Sequence, residues 1–273
     1  MNKNITLFND IQILPRGVYL QIGFILKTLD PTIIRSNEPE EVLTYKYQEL
    51  GNRFIIPWRK FKGKLRRLVM EQQRNFGIST QCALKDNLCM KCPACFLFGG
   101  TGETSKAGVS YNLLSRVLGE TLISTTEVKD IFTYTANAVD EKDYTTGQAL
   151  ITTVAVPAEI EFLGIITLKD PTKDLAAILI DNLNRVKRIG ASTREWGRCE
   201  VNILGYILSD REDVAVYELI EKTIKEKNKE SEIRTLFKNI ESLRLPLKDI
   251  KNCYKNINSQ IEKILKEIKN EHT

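Results

Sequence analysis

Four cysteines, Cys82, Cys89, Cys92 and Cys95, stand at C-x6-C-x2-C-x2-C spacing within fourteen residues. Thiolates that close together can surround one tetrahedral ion, and Zn²⁺ favours such a soft, closed set. With no coordination position left open, the chemistry is structural: the ion staples a loop too small to fold by burial alone. An iron–sulfur cluster is the alternative, since cysteines at short spacing also hold clusters. Against it, the usual further cysteine followed by proline is missing, and Pro93 lies inside the run. Unmetallated packing cysteines are the plain reading. Cys199 and Cys253 read as small buried hydrophobes. The single histidine, His272, is close to the C-terminus. A Ser-His-Asp triad and a histidine-built metal site are therefore excluded.

A second kind of chemistry is carried by charge. Between Arg53 and Arg74 there are eight basic residues and one acid, Glu71. The net charge of the chain is only +5, from 40 Lys+Arg against 35 Asp+Glu, so the positive charge is concentrated here. Helical spacing puts Arg59, Lys62 and Arg66 on one face, with Lys60, Lys64 and Arg67 beside it. Such a face can neutralise successive phosphates, helped by the helix N-terminus near Pro57. A solvated helix face is the plain alternative, but those usually mix signs. Trp58 and Phe61 lie between the cations and read either as base-stacking rings or as core.

Ile189–Arg198 (IGASTREWGR) combines two glycines with hydroxyls and arginines, so Gly190, Ser192, Arg194 and Arg198 are candidates to hold a phosphate chain close to the backbone. An ordinary turn would look similar. Leu97–Gly102 is also glycine-rich but lacks the G-K-[S/T] of a nucleotide P-loop, so ATP binding is not expected.

The 273 residues, 42% hydrophobic and 27% charged, are enough for one sizeable core plus appendages. The N-terminal residues lack the apolar run of a signal peptide, and no window approaches the ~18 apolar residues of a membrane span. The expectation is a cytoplasmic protein with no membrane partner. Gly17–Leu29, Val42–Tyr47 and Arg53–Ile56 read as strands, followed by a helix opened by Pro57. Ile78–Gly108 reads as a loop-rich insertion. Leu122–Tyr134 and Ala149–Leu168 read as β-structure, the latter as two strands or one bent strand. Leu175–Val186 reads as a helix and Val201–Leu208 as a strand. The order β, α, β, β, α, β with insertions predicts an α+β, ferredoxin-like (RRM-like) antiparallel sheet. From Asp210 the composition turns Lys/Glu/Ile/Asn-rich, predicting helices broken near Pro246. Ile250, Tyr254, Ile257, Ile261, Ile264 and Ile268 mark a seam that docks on its own domain or on a neighbour.

Taken together, these segments resemble the RAMP superfamily of CRISPR proteins. Ile55–Gln72 (IIPWRKFKGKLRRLVMEQ) is similar to the family's first-helix segment, although Trp58-Arg59-Lys60 replaces its small residues. Cys92–Gly100 (CPACFLFGG) resembles its C-x2-C-x-LFG segment. Asp143–Leu168 is similar to its central stretch and Ile189–Val201 to its closing glycine-rich loop. The match spans roughly residues 15 to 208. The Cys-rich insertion and Arg35–Pro39 (RSNEP) make it most similar to the type I-D, Cascade-like backbone subunit, with type III backbone subunits close behind.

The resemblance implies a ferredoxin-like palm over residues 1–209 with a thumb hairpin at 122–147; the zinc-binding insertion at 78–108 and the helical appendage at 210–273, which lies outside the resemblance, are read from the residues themselves. It implies a scaffold rather than an enzyme, one that polymerises with copies of itself along CRISPR RNA. Target DNA or RNA would be met through the guide, beside other effector subunits. Two alternatives differ in class. One is a metal-dependent nuclease, with Asp30 of LDPTIIR holding Mg²⁺ as in type III subunits; Asp-Pro after a strand is also ordinary turn chemistry. The other is a zinc-ribbon module acting in transcription or translation.

Overall fold

The computed structural model describes residues 5–34, 44–84, 87–102, 109–139, 146–225 and 229–270. Arg35–Pro39, Val42–Leu43, 103–108, 140–145 and His272, all named above, lie outside them.

The main sheet holds β1 (Tyr19–Thr28), β2 (Thr44–Tyr47), β3 (Gly51–Ile56), β4 (Val117–Gly119), β5 (Leu122–Glu127), β8 (Glu161–Lys169) and β9 (Cys199–Ser209). Its order is β2-β3-β5-β8-β1-β9, with β4 also paired to β8, and every pairing is antiparallel. The helices are α1 (Trp58–Asn75), α2 (Pro93–Phe98), α3 (Lys173–Asn184), α4 (Val216–Lys225), α5 (Lys229–Leu236) and α6 (Ile250–Asn270). The expected α+β class with a large antiparallel sheet is what the chain adopts. Read as β1-α1-β5-β8-α3-β9, the elements follow the anticipated order, and Ala149–Leu168 resolves into two strands rather than one bent one.

Residues 122–147 do not form one hairpin. Leu122–Glu127 belongs to the main sheet, because Leu122, Ile123 and Ser124 are buried there and Ile123 pairs with Leu163. The separate hairpin is formed instead by β6 (Phe132–Val139) and β7 (Thr146–Ala155), which among the described residues pair with each other in a sheet of their own.

Both faces of the sheet are covered, which is why β1 is buried almost without alternation. On one face Leu20, Ile22, Phe24 and Leu26 pack with Phe61, Leu65 and Val69 of α1, Leu175 and Leu179 of α3, and Tyr254, Ile257 and Ile261 of α6. The predicted seam thus docks within its own chain from Ile250 to Ile264; the side chain of Ile268 lies outside the described residues. Polar groups fix the register of that layer: Asn182 Nδ2 donates to Gln72 Oε1 at 2.7 Å, and the fully buried Tyr254 hydroxyl donates to the same oxygen at 3.0 Å. On the other face Ile25, Ile123, Leu163, Ile165 and Leu204 pack with Val216, Leu219 and Ile220 of α4 and with Ile233 and Phe237. Residues 210–273, read from the sequence as an appendage, therefore contribute to both cores.

Two contacts lock this second layer. Gln21, buried within β1, donates to Val214 O at 2.9 Å and accepts from Asp213 N at 2.6 Å. The Phe237 ring occupies the space that a Cβ on Gly23 would need. Gly23 pairs with Gly205 at a register shift between β1 and β9, so the notch that receives the ring is made by missing side chains.

Candidate nucleic-acid interface and metal centre

Pro57 caps α1 with extended backbone, and its carbonyl accepts from Lys60 N at 2.9 Å. The helix buries Phe61, Leu65, Leu68 and Val69. Phe61 stacks on Phe24 at 5.3 Å between ring centroids and is fully buried, a core residue, while the partly buried Trp58 packs against Gly119.

The cations of α1 divide between its two flanks. Lys60, Lys64 and Arg67 line an open cleft of about 240 Å³, whose opposite wall is Arg188, Ile189, Gly190, Ala191 and Thr193. Lys62 and Arg66 turn the other way: Lys62 Nζ donates to Ser115 Oγ at 2.9 Å, and Arg66 Nη2 donates to Gly99 O at 2.9 Å. Arg59 is exposed between the two flanks. Arg53 is not a surface cation. It is 3% exposed, donating to Leu50 O at 2.7 Å and Thr125 O at 2.8 Å inside the sheet edge.

The glycine-rich loop is tied to the chain after β1. Ala191 N donates to Ile33 O at 2.8 Å and Gly197 N to Pro31 O at 3.1 Å. Gly190 adopts a φ of 93°, and a Cβ there would lie 2.5 Å from Ile33 O, so the tie requires glycine. Arg198 N donates to Asp30 Oδ1 at 2.6 Å while its Nε donates to Oδ2 at 3.0 Å. Both oxygens of Asp30 therefore accept from Arg198. Thr32 exchanges hydrogen bonds with Val156 at 2.9 Å each way, just past β7, and Phe132 at the start of β6 meets Trp196 at 5.9 Å between ring centroids. The hairpin is thus rooted beside the glycine loop.

Of the sequence candidates, the cleft brings together Lys60, Lys64, Arg67 and Gly190. Ser192 and Arg194 are exposed in the same loop, and Arg198 is exposed but paired with Asp30. Arg188 and Thr193 line the cleft without having been singled out; Arg188 stands two positions before Gly190, where a second cation adjoining the loop was the available signal. No carboxylate lines the cleft among the described residues.

On the far side of α1, the sulfurs of Cys82, Cys89, Cys92 and Cys95 all lie within 4.8 Å of one another. Cys82 Sγ is 3.7 Å from both Cys92 Sγ and Cys95 Sγ. A tetrahedron with Zn–S bonds of ~2.3 Å has edges of about 3.8 Å, so the four thiols fit a single ion. Cys89 N and Gln73 Nε2 point N–H groups at Cys82 and Cys92 sulfurs, at 3.4 and 3.3 Å, as thiolates require. Hydrogen bonding with Cys82 pulls the Cys89 thiol far below its ordinary range and pushes Cys92 and Cys95 above theirs. Burial raises Cys199 and Cys253 to about 12 each, away from this centre.

The second glycine-rich stretch, Leu97–Gly102, has packing reasons for its glycines. A Cβ on Gly99 would meet Leu113 O at 2.6 Å, and one on Gly100 would meet Met90 Sδ at 2.7 Å.

Fold and site together define an α+β chain with a basic cleft between a helix and a glycine-rich loop, lined by no carboxylate among the described residues, and a closed four-thiol centre. The chain belongs to the Csc2 CRISPR family, whose model matches residues 6–272. Its structure is similar to the crystal structure of Thermofilum pendens Csc2, with a TM-score of 0.65 and 19% identity, covering 94% of this chain and 92% of that one. A chain of a type IV-B CRISPR complex aligns with a TM-score of 0.49 and 12% identity, over 67% of this chain and 90% of the other. No curated protein matches. Among the described residues, no helix is long and apolar enough to cross a membrane.

Proposed function

We propose that this chain is the guide-RNA-binding backbone subunit of a type I-D CRISPR effector complex. It polymerises with copies of itself along CRISPR RNA, alongside other effector subunits, and presents the guide for pairing with target DNA. The observation that carries this reading is the cleft between Lys60, Lys64 and Arg67 on one wall and Arg188, Gly190 and Thr193 on the other. Cations and a glycine loop facing one another, with no carboxylate among the described residues, suit a ribose-phosphate strand, held without reading its sequence while its base edges stay free. The β-α-β-β-α-β order is read as a ferredoxin-like palm, and β6–β7, rooted at Trp196 and Thr32, as the thumb that interrupts the guide's stacking.

In the same reading, Cys82, Cys89, Cys92 and Cys95 hold a structural Zn²⁺. Sulfur separations of 3.7 Å support a single ion over an iron–sulfur cluster, whose several irons need their cysteines spread more widely. When bound, the ion closes the Cys82–Cys95 loop against Gln73 of α1 and takes no part in chemistry on RNA.

The test is the triple variant Lys60→Ala/Lys64→Ala/Arg67→Ala with single-stranded RNA. Each lost phosphate contact lowers the slope of log K against log salt by about 0.7, so a fall of about 2 is expected. An unchanged slope rejects the cleft as the RNA site. Discrete CRISPR RNA copurifying with the native protein would tie the cleft to guide binding.

A further inference from the structure

Near the C-terminal end of α1, Gln73 is fully buried. A buried primary amide is costly unless its oxygen and its nitrogen both find partners. Here Oε1 accepts from Ala94 N at 3.2 Å and Nε2 donates to Cys92 Sγ at 3.3 Å. Chemistry fixes which way the amide points. The Ala94 N–H can only donate, so the oxygen must face it and the amide N–H must face the sulfur.

The two contacts belong together. Cys92 is the N-cap of α2 and Pro93 follows it, so Ala94 carries the first N–H of that helix. An N-cap side chain ordinarily accepts such an N–H. Cys92 makes no such cap, and its sulfur lies 3.7 Å from Cys82 Sγ in the thiol centre. The oxygen of Gln73 caps α2 in its place, which leaves the Cys92 sulfur to the centre. Four thiolates around a divalent ion leave a double negative charge in a buried place, and each N–H aimed at a sulfur offsets part of it. Cys89 N, which reaches Cys82 Sγ at 3.4 Å, belongs to the cysteine loop itself; Gln73 is brought by a different element. The adjacent Arg74 also reaches the loop, but its Nη1 donates at 2.9 Å to the carbonyl of Cys82 rather than to a sulfur.

We propose that Gln73 is a positioning residue of the thiol centre: from α1 it orients Cys92 and offsets part of its thiolate charge, so that a helix outside the cysteine loop sets how tightly the metal is held. This rests on the structural-zinc reading above and adds the residue on which metal retention depends. Gln73 ligates nothing itself; it acts through Cys92.

The experiment loads the full chain, wild type or carrying Gln73→Leu or Arg74→Leu, with Co²⁺, whose thiolate charge-transfer band reports electron density on the sulfurs. Gln73→Leu keeps the bulk and removes the N–H. The Cys92 lone pair then rises in energy, so the band moves to longer wavelength, and Co²⁺ affinity falls by about 10–100-fold. Arg74→Leu loosens the loop through a carbonyl and leaves the band where it is. Wild-type band and affinity in Gln73→Leu overturn the proposal. An equal band shift in Arg74→Leu also overturns it, by making the effect one of loop geometry. Should Gln73→Leu fail to fold, the wild-type chain loaded with NMR-active cadmium decides: scalar coupling between the metal and the Gln73 amide protons shows the hydrogen bond, and its absence sinks the role. A wild type without a four-thiolate cobalt spectrum would fail the metal reading itself; a wild type with one, matched by Gln73→Leu, removes only the role of Gln73.

Discussion

Asp30 and Arg198 form a two-point clasp, in which the arginine offers both its backbone N–H and its Nε–H to the two oxygens of one carboxylate. Asp30 is 15% exposed and Arg198 61%, so the pair sits at the surface end of the joint between the chain after β1 and the glycine-rich loop. Asp30→Ala is expected to cost about 1–2 kcal/mol, mostly from the charged hydrogen bond to the Arg198 backbone. Asp30→Asn keeps an acceptor for that N–H and costs less. Denaturant titration of the two variants checks the order, and equal losses would show that charge alone holds the clasp.

The thiol centre makes a prediction about metal. Replacing Cys95 by serine is expected to destabilise the chain by roughly 3–5 kcal/mol, the range for losing a structural metal site. Native mass spectrometry should show one zinc per chain, released together with a drop in Tm on strong chelation. Cys199 and Cys253, with thiols pushed up to about 12 by burial, should resist iodoacetamide at pH 8 in the folded protein. Rapid labelling of either would contradict their placement.

Arg53 separates stability from binding. Arg53→Ala leaves the Leu50 and Thr125 carbonyls without their donors, at a cost of about 2–4 kcal/mol. If the chain binds RNA as proposed, the variant's affinity for single-stranded RNA below the melting transition should match the wild type. A large loss of affinity would place this edge of the sheet on the RNA path.

Glu120 makes a pH prediction. Its Oε2 accepts from Val216 N at the start of α4, and burial holds its carboxyl above the ordinary 4.5, with Glu212 and Glu218 adding to the shift. A raised folded pKa gives stability that is complete below the unfolded value and is lost as pH rises through the folded one. Glu120→Gln keeps an acceptor for Val216 without the charge. It should raise Tm at pH 7, and the gain should shrink as pH falls toward 4.5. A gain that grows in acid would reverse the assignment.

Gly23 and Phe237 should couple. Gly23→Ala alone is expected to cost about 1–3 kcal/mol by overpacking, and Phe237→Ala about 3–5 kcal/mol. Together they should cost less than their sum, since the ring that clashes with the new methyl is gone. Simple additivity would mean that the ring does not sit in the notch.

The order of elements was legible because hydrophobic period and turn residues are local signals, and the cysteine centre because short spacing limits how far four thiols can spread. The seam through Tyr254 and Ile261 was legible as a docking face; that it meets α3 required the full topology. Long-range pairing hid the rest. Leu122–Glu127 and Phe132–Val139 are both extended in sequence, and only the register of Ile123 opposite Leu163 assigns the first to the main sheet. Helical spacing related the cations of α1 to one another, yet could not say which flank meets the loop at Gly190. Arg53 joined the basic cluster by proximity in sequence, although the carbonyls that bury it include one 72 residues away. In the tail, abundant lysine and glutamate masked Leu219, Ile220, Ile233 and Phe237 as core residues.

The layer made by α4, α5 and Phe237 sets a limit on shortened versions of this protein. A chain ending at residue 209 would present Ile25, Leu163, Ile165 and Leu204 to water as one flat oily plate. Such a plate stacks on its own kind, so a truncation that removes residues 210–273 should precipitate rather than yield a smaller soluble protein.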